Sequence, residues 1–100
     1  MSYKLSSQAV GDIVEIVLYG NDQFGVPGAR RYQAGLLATV ALLAANPMIG
    51  RSAGQIGTSL RRHGYGSHVI FYTPSDQAIV VERIIHMAKL KGWSLNDDLA

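Results

Sequence analysis

Residues 59–87 read SLRRHGYGSHVIFYTPSDQAIVVERIIHM, and the organisation of the chain is decided there. Three β-prone runs, Leu60 to Tyr65, His68 to Thr73 and Ala78 to Ile85, are separated by two turn signals. Gly64 and Gly66 mark the first turn. Thr73-Pro74-Ser75-Asp76 marks the second, with Pro74 where a type I turn accepts it. Connections this short join antiparallel neighbours, so the stretch predicts a small antiparallel sheet. It also holds all three histidines and three of the nine Lys and Arg residues, which makes it the first place to look for a basic surface.

Immediately upstream, Met48 to Thr58 is rich in Gly and Ser with Arg51 as its only charge, and reads as an irregular connection. Before it, a helix is expected from about Pro27 to Asn46, where Pro47 stops it. Residues 36–45 of that helix carry no charge on any side. So apolar a helix cannot bury every face in a protein this small: either its alanines form the exposed stripe or a partner covers it. Phe24-Gly25-Val26-Pro27-Gly28 breaks and restarts the chain, Pro being tolerated in a first turn. An earlier amphipathic helix spans about residues 7 to 23, with Ser6 as its N-cap. Gln8, Asp12, Glu15, Tyr19 and Asp22 form its polar stripe, and Ala9, Ile13, Ile16 and Val17, flanked by Val10 and Val14, form its apolar side. Asp12 and Glu15 read as a solvated face. Tyr3-Lys4-Leu5 suits a short first strand, and residues from about 90 to 100 read as a flexible tail in which Leu90 and Trp93 are packing candidates. The order strand, helix, helix, three strands predicts an α+β fold: an N-terminal strand and a helical hairpin packed on one face of a small antiparallel sheet, the other face open.

A chain of 100 residues, 48% of them hydrophobic, supports one core and one domain, residues 1–100. The absence of cysteine excludes a disulfide framework and a thiolate zinc site, and fits a reducing, cytoplasmic setting. Met-Ser-Tyr-Lys-Leu at the N-terminus lacks the apolar region of a signal peptide. The longest mostly apolar run, Ala34 to Ala45, falls short of the roughly 20 residues a bilayer span needs, so no membrane association is expected. Net charge is only +2, but it is unevenly spread: residues 1 to 23 sum to −2, residues 24 to 95 to +6, and Asp97 and Asp98 add −2. A basic middle suggests an acidic partner, nucleic acid or protein.

Arg61 and Arg62 are neighbours on a strand and point to opposite faces, so only one of them can share the open face with Arg83. Period-two counting sets Ile79, Val81, Arg83 and Ile85 on one side of the last strand and Val80, Glu82, Ile84 and His86 on the other. Arg83 is then either a paired, partly buried charge or the floor of a groove. A nuclease would use such arginines to hold phosphate, with His86, Tyr65 or Tyr72 moving protons. His68 opens an apolar strand and reads as structural, and His63 as solvated. The histidine spacing matches no metal site, and no cofactor-binding motif is present.

Leu5-Ser6, Ala9, Asp12-Ile13, Ile16, Tyr19, Phe24-Gly25, Tyr32, Leu36, Leu43, Asn46-Pro47, Gly50-Arg51, Leu60-Arg61, His68-Val69-Ile70-Phe71-Tyr72 and Ile79 to His86, in this order and spacing, resemble the ParE branch of the RelE/ParE toxin superfamily. The similarity covers about residues 3 to 87. It implies a toxin of a type II toxin-antitoxin operon, neutralised by a ParD-like antitoxin and directed against DNA gyrase. RelE relatives instead cleave messenger RNA on the ribosome, and that alternative would use Arg61, Arg83 and His86. The chain departs from the RelE pattern in lacking a lysine-rich segment around Met48 to Thr58 and in placing His86-Met87 where a catalytic Tyr is expected. Both departures favour gyrase poisoning, with no catalytic residue. On this reading the uncharged helix supplies the antitoxin-binding candidates Leu36, Leu37, Val40, Ala41 and Ala44. Arg51, Arg61, Arg62 and Arg83 form a basic surface, whose direct contact with nucleic acid is left open.

Overall fold

A computed structural model describes residues 2–54 and 59–90. The first strand, β1 (Ser2–Leu5), stops where Ser6 becomes a helix cap. Its backbone is extended, and its hydroxyl accepts from the Ala9 amide at 3.0 Å, satisfying one orphan donor of the first turn.

The helical stretch α1 (Ser7–Ala45) is continuous in pairing but broken in direction. Gly25 sits at φ 82°, ψ 163°, a conformation disfavoured for any residue with a Cβ, and Pro27 restarts the helix just beyond it. The two arms, residues 7–24 and 26–45, fold back on each other. A Cβ built on Gly20 would lie 3.1 Å from that of Ala29, whereas nine residues along a straight helix span about 13.5 Å. The helical hairpin expected from the sequence is therefore present.

The sheet contains β1, β2 (Arg51–Ser52), β3 (Arg61–Tyr65), β4 (His68–Pro74) and β5 (Ala78–His86), in the spatial order β1-β5-β4-β3-β2. The last three strands are antiparallel neighbours, as the turn signals require. Two features differ from the expectation. The sheet is mixed, because β1 lies parallel to β5, with the whole hairpin and three strands as the crossover between them. Arg51 and Ser52, expected in an irregular link, pair with Arg62 and Arg61 and add a short edge strand.

The hairpin buries Ala9, Ile13, Leu36, Val40, Leu43 and Ala44 against Ile70, Tyr72, Ile79, Val81 and Ile84. On the other face Val69, Phe71 and Ile85 form a smaller cluster, partly covered by Ala53, Leu60 and Leu90. Leu90 thus packs as expected, while Trp93 and the remaining tail lie outside the described residues. The uncharged second arm shows alanine to solvent, with Ala34, Ala38, Ala41 and Ala45 exposed beside Leu42. Three of the five antitoxin-binding candidates, Leu36, Val40 and Ala44, are 0% exposed and belong to the core, which corrects their assignment to a docking surface. Leu37 is half-buried and Ala41 exposed.

Strict alternation fails on β5. Phe71 pairs with Arg83 and Tyr72 with Val81, which leaves Glu82 as the extra residue of a β-bulge. Ile79 and Val81 face the hairpin, and after the bulge so does Ile84, while Ile85 joins the opposite cluster.

Candidate functional site

The bulge lies where β1 ends. Leu5 is the last β1 residue paired with β5, opposite Val81. The Ser6 amide then donates to the Val81 carbonyl at 3.0 Å, and the Ser6 hydroxyl to the Glu82 carbonyl at 2.7 Å. Past this point the first helical arm replaces the missing strand. Asp12 Oδ2 accepts from the Ile84 amide at 2.9 Å, so a carboxylate closes the open edge of β5. The same carboxylate holds Arg83 in a two-pronged pair, Nε to Oδ2 at 2.9 Å and Nη2 to Oδ1 at 3.0 Å. The two side chains are only 11% and 14% exposed, for Asp12 and Arg83 respectively. Arg83 is thus a paired, partly buried charge that also lines a groove, and Asp12 is its anchor rather than part of a solvated face. Sequence reasoning missed Asp12 because nothing local distinguishes an anchoring carboxylate from a solvated one three residues before Glu15.

A groove of about 570 Å³ opens beside this pair, lined by Glu15 and Tyr19 from the first arm and by His68, His86 and Lys89. His86 is held by the short 3-10 turn Met87–Lys89, whose Ala88 amide donates to its Nδ1 at 3.0 Å. A neutral ring that accepts there carries its proton on Nε2. The His68 ring lies 5.1 Å from that of His86, edge to face. Its Nδ1 is 2.7 Å from the Tyr32 hydroxyl, which also accepts from the Ser67 amide at 3.1 Å and reaches the Tyr65 carbonyl at 3.2 Å. Burial is the main cause that lowers the His68 pKa, helped by His86 and Lys89 and opposed by Asp12. Burial likewise raises the Tyr32 pKa, with Tyr65 adding to it and the hydrogen bond from Ser67 opposing. His68 is hydrogen-bonded, as a structural histidine is; its partner Tyr32 lies on a different element, and nothing local in the sequence pairs the two.

Arg61 is elsewhere. Its guanidinium donates to the Gly50 carbonyl. Next to it the Tyr72 hydroxyl, wholly buried, donates to the Pro47 carbonyl at 2.7 Å and accepts from the Gly50 amide at 2.9 Å. The segment Asn46-Pro47-Met48-Ile49-Gly50-Arg51 is therefore a clamp on Tyr72. Gly50 is required there, because a Cβ would overlap the Tyr72 hydroxyl. The strand register places Arg51, Arg62, Phe71 and Arg83 in one row across β2, β3, β4 and β5. Arg62, not Arg61, shares the row of Arg83. Its guanidinium carbon lies 5.5 Å from the centre of the Phe71 ring, a cation–π contact.

The groove thus brings together Arg83 and His86, without Arg61. Among the described residues no group of three or more His, Cys, Asp or Glu side chains is placed to hold a metal ion.

The family model described as ParE toxin of type II toxin-antitoxin system, parDE, matches residues 3–90. Toxin ParE1 of Caulobacter vibrioides is 31% identical over 86 residues, covering 86% of this chain and 88% of that protein. Among solved structures, a chain titled Chromosomal ParDE TA system from P. aeruginosa superposes with a TM-score of 0.72 at 20% identity, covering 86% of this chain and 95% of that one. At that identity the likeness is one of fold.

Proposed function

The chain belongs to the ParE toxin family of type II toxin-antitoxin systems, and from that membership we propose that it poisons DNA gyrase and is silenced by a ParD-class antitoxin. The observation that favours this over messenger RNA cleavage is the state of the three residues an endoribonuclease would use. Arg83 is neutralised by Asp12, His86 spends its Nδ1 lone pair on the Ala88 amide, and Arg61 is tied to Gly50 outside the groove. Transition-state stabilisation needs donors already aimed at one developing charge, and this set does not converge. The gyrase reading is tested by incubating purified toxin with gyrase and relaxed plasmid: loss of supercoiling or trapped cleaved DNA is expected. An inert result at excess toxin rejects it, and codon-linked cleavage of messenger RNA after brief expression establishes the endoribonuclease instead.

The antitoxin surface follows from what the hairpin leaves exposed. Val10, Val14 and Leu18 recur every four residues along the first arm and are 47%, 51% and 59% exposed, one continuous apolar stripe. Together with Leu37 and Ala41 it offers an amphipathic antitoxin segment a seat over the hairpin and towards the sheet edge. Val14→Glu is expected to weaken antitoxin binding while leaving the toxin folded; unchanged affinity rejects this surface. A cytoplasmic site of action goes with a gyrase target, and among the described residues no helix is long and apolar enough to cross a membrane.

A further inference from the structure

The β2–β3 edge holds three arginines, of which Arg61 is tied into the fold through Gly50 and Arg62 rests on Phe71. Arg51 and Arg62 are directly opposed across the two strands. Facing positions hold their Cβ atoms about 5 Å apart, and like charges there are destabilising. Arg61 stands next to Arg62 and, by strand alternation, points to the other face of the sheet. Among the described residues none of the three has an acidic partner, the ion pair of Asp12 being made with Arg83. Arg51 is exposed. Arg62 is half-buried, its guanidinium carbon 5.5 Å from the centre of the Phe71 ring.

We propose that this edge is a binding strip for the phosphodiester backbone of duplex DNA, with Arg51 and Arg62 each taking one phosphate and Arg61 positioning the strip through Gly50. Planar guanidinium forks suit phosphate oxygens bidentately, and an arriving anion offsets the repulsion between the facing cations. The surroundings favour nucleic acid over an acidic protein. Protein interfaces are built round an apolar or aromatic core depleted of charge, whereas protein–DNA interfaces are polar and strongly positive. Here the apolar side chains of the same sheet face, Val69, Phe71 and Ile85, are already buried. The exposed Met48 and Ile49 belong to the turn before the strand, not to the row.

The test needs only the toxin and a labelled 20-base-pair duplex, with fluorescence anisotropy read across a salt series. Each neutralised phosphate contributes about −0.9 to the slope of log affinity against log salt, so the double variant Arg51→Ala, Arg62→Ala should flatten the slope by about 1.8. Over a fourfold rise in salt, these two contacts correspond to about a twelvefold loss of affinity. Arg51→Ala alone, at an exposed position, should flatten the slope by about 0.9 with an unchanged circular dichroism spectrum. An unaltered slope in the folded double variant overturns the proposal. So does binding of a polyglutamate peptide that depends on both arginines when the duplex does not bind. Gyrase is absent from the measurement, so its outcome leaves the gyrase reading standing.

Discussion

The Asp12–Arg83 pair is the contact that most sharply separates the folded geometry from a surface reading of the same residues. Asp12→Asn keeps the shape of the side chain and one carbonyl oxygen, so the Ile84 amide retains an acceptor. What is lost is the charge opposite a guanidinium that is only 14% exposed. Hydrogen bonds to charged groups contribute about 1.5–3 kcal/mol, and stranding one member of a buried pair costs about 3–5 kcal/mol. The pair retains a margin of solvent contact and the asparagine keeps part of the hydrogen bonding, so about 2–3 kcal/mol is expected. For a domain of this size such a loss lowers Tm by roughly 10–20 °C. Urea unfolding of the wild type, Asp12→Asn, Arg83→Gln and the double variant forms a cycle, and its coupling energy should be about 1.5–3 kcal/mol. The slope with urea should stay constant, because the surface exposed on unfolding is unchanged. A single-variant loss within about 0.5 kcal/mol of zero would match an ordinary surface substitution and would refute the anchoring role.

Gly50→Ala should destabilise the fold by about 1–3 kcal/mol, because the added methyl meets both the Tyr72 hydroxyl and the Arg62 carbonyl; thermal melting checks it. Gly11→Ala is the matched control: nothing lies within 4 Å of its new methyl, and a helix position gains up to about 1 kcal/mol. Leu36→Glu, at a position wholly buried in the core, should abolish cooperative unfolding, whereas Val14→Glu should melt close to the wild type. His68 has a lowered pKa, so the unfolded chain binds the proton more readily than the folded one. Its contribution is complete above the ordinary value of 6.5 and is lost as pH falls from there through the lowered folded value. Tm measured from pH 7 to pH 5 should therefore fall more steeply for the wild type than for His68→Gln.

The sequence by itself determined the element types, because the signals are local. The N-cap at Ser6, the break at Gly25 and Pro27, the stop at Pro47 and the turn at Gly66 act within a few residues of themselves; the second turn falls later than expected, since Pro74 ends β4 opposite Ile79 and the Ser75 amide donates to the Ala78 carbonyl. The antiparallel order of the last three strands followed, since short turns permit little else. The parallel placement of β1 beside β5 was not legible, because the two strands lie more than 70 residues apart and no local chemistry names a partner. One extra residue at Glu82 exchanged the faces of β5 beyond it, and with that the strict alternation used to sort Arg83, Ile84 and Ile85 no longer applied. Burial decided the rest. Apolar composition marked the second arm as sticky on every side, yet only its rotation over the sheet put Leu36, Val40 and Ala44 inside and the alanine stripe outside. Asp12 and Arg83 were both visible as charges, 71 positions apart, and only the end of β1 beside the bulge made them a pair. Helix and strand are written in neighbouring residues; register, face and charge partner depend on which distant surfaces meet, and tertiary packing alone fixes those.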